Sequence, residues 1–135
     1  MFVFVYGTLK VGHGNHRLMD GAVERVFPAT VEGYTLHGTG IPFAVTAPGE
    51  RVRGELIRLA DEEASAVLDR LDSLEGHPTS YLRTLVVATR DFDGAPVPAW
   101  MYSYEDMRDR APWVGEEWRP SALVGFEDED EPQGE

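Results

Sequence analysis

The chain has 135 residues, a formal charge of −12 and no cysteine. That length suits one domain around one core, and the missing thiols exclude a disulfide framework, a thiolate zinc site and a cysteine nucleophile. The acidic balance, with no Lys/Arg cluster, argues against nucleic acid as a partner, since phosphate contacts need a basic patch.

Part of the charge is concentrated at Glu127-Asp128-Glu129-Asp130-Glu131, followed by Pro132-Gln133-Gly134-Glu135. Such a block repels itself and rarely folds. Residues 127–135 are therefore expected to be an acidic disordered tail on a domain spanning residues 1–126. Subtracting the tail's six acids from −12 still leaves −6. No segment approaches the length of a membrane span. The run Phe2-Val3-Phe4-Val5 is too short for a signal peptide and has no basic stretch before it. A cytoplasmic protein without a membrane partner is expected.

Residues 2–6 are apolar on both faces, the pattern of a central buried strand. Gly7 breaks it, and a glycine-rich loop follows through Asn15, which is placed to cap a short helix over His16–Met19. Strands are predicted over 22–27, 30–37, 42–46 and 51–59, divided by Pro28, Gly38, Gly40, Pro48 and Gly49. The clearest helix starts at Asp61, read as its cap. It carries Ala64, Val67, Leu68, Leu71 and Leu74 on one face and ends at Gly76. Asp69 and Asp72 are read as part of its solvated face. Two more strands, 81–90 and 96–104, are joined across Asp93-Gly94, a hairpin signal. Residues 105–126 read as an irregular segment packed by aromatics. The balance points to an α+β fold, a compact mixed-sheet barrel with few helices.

Glu75 is the most informative residue of this pattern. It lies four residues after Leu71 and seven after Leu68, on the apolar stripe, in the last turn of the helix. Burial and the helix dipole both disfavour its charged form, and a carboxyl with a raised pKa suits proton transfer near neutral pH. The competing reading is a carboxylate that pairs with Arg83 or frays into solvent. In Tyr6-Gly7-Thr8-Leu9 and the loop beyond, successive backbone N–H groups could converge on an anion; the alternative is an ordinary turn. There is no Walker or GxGxxG pattern, no G-x-S-x-G and no HExxH. His13 and His16 have no third ligand at suitable spacing, so no metal is expected. Tyr81 and Arg83 share a strand face near Glu75.

Taken in order, Tyr6-Gly7-Thr8-Leu9, Gly14-Asn15-His16, Ile41–Val45, Val52–Leu56, Leu68–Gly76, Tyr81-Leu82-Arg83 and Ala99–Tyr102 resemble the gamma-glutamylcyclotransferase-like family, of the gamma-glutamylamine cyclotransferase type. The agreement covers nearly all of residues 2–104. The resemblance implies a barrel with one pocket, in which Gly7, Thr8 and Leu9 bind the substrate's gamma-glutamyl end largely through backbone N–H groups. It implies that Tyr6 shapes the pocket, Tyr81 orients the substrate and Glu75 is the catalytic acid/base. The implied reaction splits a small gamma-glutamyl amide into 5-oxoproline and a free amine, with no cofactor. A non-catalytic binding module on the same fold and an amide hydrolase activating water are the alternatives. A binding module has no need for a costly buried carboxyl, which favours the enzyme. Neither the leaving amine nor an oligomeric state is specified by the sequence.

Overall fold

Strand β1 (Phe2–Val5) is apolar throughout because each of its faces meets a different core. Alternate side chains point to opposite sides of a strand. Phe4 and Tyr6 join one buried cluster with Ala29, Leu36, Leu56, Ala99 and Met101. Val3 and Val5 join a second with Ile57, Leu59, Val67, Leu68 and Leu71. The first cluster fills the inside of a barrel, and the second lies between the barrel and its helix.

The computed structural model describes residues 1–118. After β1 come a short 3₁₀ helix (Gly14–Met19), β2 (Val23–Gly38), β3 (Pro42–Leu59), α1 (Asp61–Glu75), β4 (Leu82–Arg90), β5 (Pro96–Ser103), a second 3₁₀ turn (Glu105–Asp109) and β6 (Trp113–Gly115). The strands run in the order β3-β1-β5-β4-β2, and β2 also pairs with β3, which closes a five-stranded barrel; β6 adds to β2. The β1–β5 pairing is parallel, with Val3 opposite Trp100, and the other pairings are antiparallel. This is the expected α+β mixed-sheet barrel.

Four predicted strands become two long ones. Pro28 ends the β2–β4 ladder at Ala29↔Arg90 but leaves β2 unbroken, because it sits opposite Glu55 of β3. Between Glu32 and Tyr34 of β2, the partner on β3 jumps from Arg51 to Thr46. Pro48 and Gly49 occupy that excursion, and Gly33 and Gly49 take positive φ there. The breakers mark a bulge within paired strands.

The two expected caps also differ. The residue before α1 is Ala60, and Asp61 is the first helical residue, with its carboxylate 3.2 Å from the N-terminal ammonium. The first 3₁₀ helix is preceded by His13, so Asn15 lies inside it. Gly76 does end α1, in the left-handed conformation at φ 73°. Asp93-Gly94 does turn the β4–β5 hairpin, with the Gly94 N–H donating to the Arg90 carbonyl at 2.8 Å. Strand β4 starts at Leu82, one residue after Tyr81. Of the late aromatics, Trp118 is buried, while Trp113 is 64% exposed. Residues 127–135, read as a tail, lie outside the described residues.

Candidate active site

The site is built where β1 leaves the barrel and α1 ends. Gly7 packs so close to Pro42 that a Cβ there would lie 2.8 Å from the proline Cγ. The chain then winds through a tight loop whose internal donors are Lys10 (to Gly7 O), His13 (to Lys10 O) and Asn15 (to Thr8 O). Those bonds leave the N–H groups of Gly7, Thr8 and Leu9 unused within the loop. Side chains brace it: Asn15 Nδ2 donates to Thr8 Oγ1 at 2.8 Å, and His16 Nδ1 lies 2.9 Å from Leu9 O. Glu55 accepts the Val11 N–H at 2.7 Å. His13 stands against the Trp118 ring at 5.5 Å. The two histidines thus serve the loop's packing.

Across from this loop lies Glu75. Leu68 and Leu71 anchor the helix in the core, and the same stripe carries the half-buried Glu75 to the mouth of the barrel. Leu74, expected in the core, is 44% exposed and lines the cavity instead. The turn after Gly76 passes through a cis His77–Pro78 bond and returns Tyr81 to the helix end, where its N–H donates to Glu75 O at 3.1 Å.

A cavity of about 200 Å³ lies between these parts. Tyr6, Gly7, Thr8, Leu9, Glu75 and Tyr81, the six residues singled out from sequence, all line it. Asn15, Ile41, Pro42 and Tyr102 line it as well. Sequence reasoning takes Asn15 for a helix cap and Tyr102 for part of an aromatic strand face. The Tyr6 hydroxyl donates to Tyr102 O at 2.6 Å and accepts the Ala44 N–H at 3.2 Å, tying three strands together. Tyr81 donates to Pro42 O at 2.9 Å and its ring stacks on Phe43.

The electrostatics separate two carboxylates one helical turn apart. Burial pushes Glu75 from its ordinary 4.5 up to about 7. Among the described residues its carboxyl has no hydrogen-bond or ion-pair partner. Arg83, the partner offered by the competing sequence reading, binds Asp72 instead, at 2.8 and 3.1 Å. Asp72 is therefore not on a solvated face; its side chain is only 20% exposed. Burial opposes its charge, but hydrogen bonds from Arg83 and Tyr102 outweigh that and hold it below the usual carboxylate range. Burial also pushes up the phenols of Tyr6, Tyr81 and Tyr102, which stay neutral around the cavity.

The overall fold is similar to that of a solved structure. An AIG2-like protein from Mus musculus is similar at a TM-score of 0.71 and 26% identity, over 98% of this chain and 97% of that one. The chain belongs to the gamma-glutamyl cyclotransferase, AIG2-like family of enzymes, which matches residues 3–120. It is 39% identical to the gamma-glutamylaminecyclotransferase of Homo sapiens over 136 residues, covering 92% of this chain and 74% of that relative. It is 44% identical to gamma-glutamylaminecyclotransferase B of Danio rerio over 94 residues, 62% of this chain; the match spans 47% of that longer relative.

Proposed function

We propose that the protein cleaves a gamma-glutamyl amide to 5-oxoproline and a free amine, with Glu75 as general acid/base. The observation that carries this reading is the Glu75 carboxyl, without a partner among the described residues and raised to about 7, lining one cavity with the Gly7–Leu9 loop. The names of the human and zebrafish relatives favour a gamma-glutamylamine as the substrate.

The substrate brings its own nucleophile. Its neutral α-amine attacks the γ-carbonyl carbon, forming the C–N bond of a five-membered ring. Glu75 as carboxylate takes the proton that the amine nitrogen sheds. The same proton passes to the leaving nitrogen as the original amide C–N bond breaks, which returns Glu75 to its starting state. A group near pKa 7 is present in both forms at neutral pH, the condition for efficient transfer in both directions. The N–H groups of Gly7, Thr8 and Leu9 supply donors for the substrate's anionic end or for the developing oxyanion. Tyr6 and Tyr81, their hydroxyls committed to backbone carbonyls, act as walls that hold the chain bent. Such positioning supplies up to roughly 7–11 kcal/mol of the barrier.

The test is a panel of gamma-glutamyl amides assayed by mass spectrometry, with Glu75→Gln alongside. Wild type should release 5-oxoproline, and the variant should lose at least about 10²-fold in kcat. Free glutamate as product would indicate hydrolysis by activated water. Full activity in Glu75→Gln would remove the carboxyl from the mechanism.

A further inference from the structure

Asp72 precedes Glu75 by one turn of α1, so their side chains are neighbours with Cβ atoms roughly 5–6 Å apart. Their surroundings are opposite. Both Asp72 oxygens are gripped by Arg83, and Oδ1 also accepts the Tyr102 hydroxyl at 2.6 Å. Arg83 is fixed on its other sides too. Its guanidinium lies over the Trp100 ring, 4.6 Å from the centroid, and its backbone N–H donates to His77 Nδ1 at 3.0 Å. Tyr102 lines the cavity and commits its hydroxyl to Asp72.

Among the described residues, the polar side chains that line the cavity with Glu75 carry no charge. They include Tyr6 just after β1, Thr8 from the loop, Asn15 from the first 3₁₀ helix, Tyr81 from the turn after α1 and Tyr102 from β5. Among the described residues no Lys, Arg or His lines the cavity. Yet a guanidinium and a phenol donor both lie one helical turn away, occupied by Asp72.

We propose that Asp72 is a positioning residue for Glu75: by engaging Arg83 and the Tyr102 hydroxyl, it denies Glu75 both a cation and a donor and leaves that carboxyl free to carry protons. The assignment rests on Glu75 being the acid/base of the reaction. Asp72 itself touches no reacting atom. Its carboxylate and the Arg83 guanidinium form a neutral unit beside the cavity, so Glu75 responds to burial alone.

Electrostatics gives the two halves of this unit opposite signs. In Asp72→Asn an anion one helical turn from Glu75 is lost and the Arg83 charge is left uncompensated; both changes favour ionised Glu75. In Arg83→Gln the cation is lost and Asp72 stays, uncompensated, one turn away; this favours protonated Glu75. The experiment is a carboxyl-¹³C NMR titration of the full chain with labelled glutamate, the Glu75 resonance being assigned by its absence in Glu75→Gln. The Glu75 midpoint should fall by about one unit or more in Asp72→Asn. It should rise in Arg83→Gln and return toward wild type in the double variant. The acid limb of kcat/KM on a gamma-glutamyl amide should move the same way in each protein. An unchanged midpoint in Asp72→Asn, or a shift of the same sign in both single variants, overturns the proposal, since loosened packing alone would move both alike. If Asp72→Asn does not fold, Arg83→Gln decides by itself: a midpoint that stays or falls overturns it. The titration needs no turnover. Midpoints that move as expected while the rate profile does not follow would uphold the electrostatic unit and sink the acid/base role of Glu75.

Discussion

Holding Glu75 at the cavity wall has a thermodynamic consequence apart from any reaction. The folded chain keeps a proton there up to about pH 7, whereas an unfolded chain releases it near 4.5. Between those values the folded state binds more protons, so stability falls as pH rises through that window. At 1.36 kcal/mol per pH unit the loss above pH 7 is about 3 kcal/mol. Glu75→Gln, which cannot ionise, should therefore resist urea better than wild type at pH 8, and the two should converge near pH 4. A variant less stable at pH 8 would mean that the ionised carboxylate finds a donor in solution. Residue by residue, this part of the site is legible in sequence, because helical spacing places Glu75 on the apolar stripe. Asp72 is not. Its partners lie 11 and 30 positions away, and nothing in a local pattern separates it from the solvated Asp69.

Among the elements, β1 depends on one small residue of its neighbour. A Cβ on Gly54 of β3 would lie 2.3 Å from Val5 O and 2.9 Å from the Phe4 ring. Those are a backbone oxygen and a core ring, neither free to move. Gly54→Ala should force β1 and β3 apart and cost about 3 kcal/mol or more, read as a lower urea midpoint. It should also lose activity, because Gly7–Leu9 hang from the end of β1. An unchanged midpoint in Gly54→Ala would show that the strands can slide past the clash. The α1 helix is legible in sequence because apolar periodicity and Gly76 agree. The long strands are not, because Pro28, Pro48 and Gly49 look like ends when read along one chain. Only pairing reveals that β3 keeps Pro28 in register opposite Glu55 and that a bulge absorbs Pro48 and Gly49. Sequence likewise indicates many strands and a barrel, but not the parallel β1–β5 contact that closes it.

The whole molecule carries a net charge of −12 and few cations to offset it. Its ion pairs are mostly exposed, such as Arg51–Glu116 and Arg58–Glu24, and pairs of that kind contribute about 0–1 kcal/mol each. Long-range repulsion should therefore outweigh them. Raising salt from about 10 to 200 mM, which shortens the screening length from roughly 30 to under 10 Å, should raise Tm. A fall would mean that the pairs dominate. The direct Asp72–Arg83 pair, being mostly buried, should be little affected.

The parallel contact that closes the barrel joins Val3 to Trp100. The first strand of the ring in chain order thus waits for the last one before its second edge is covered. Chains with such distant partners fold late and together. The cavity inherits this timing, since its walls run from Phe4 to Tyr102. Cutting the chain at the exposed Asp93-Gly94 turn would leave two fragments, neither with a complete wall. Turnover would then report reassembly of the pieces, making this small enzyme its own sensor of a finished fold.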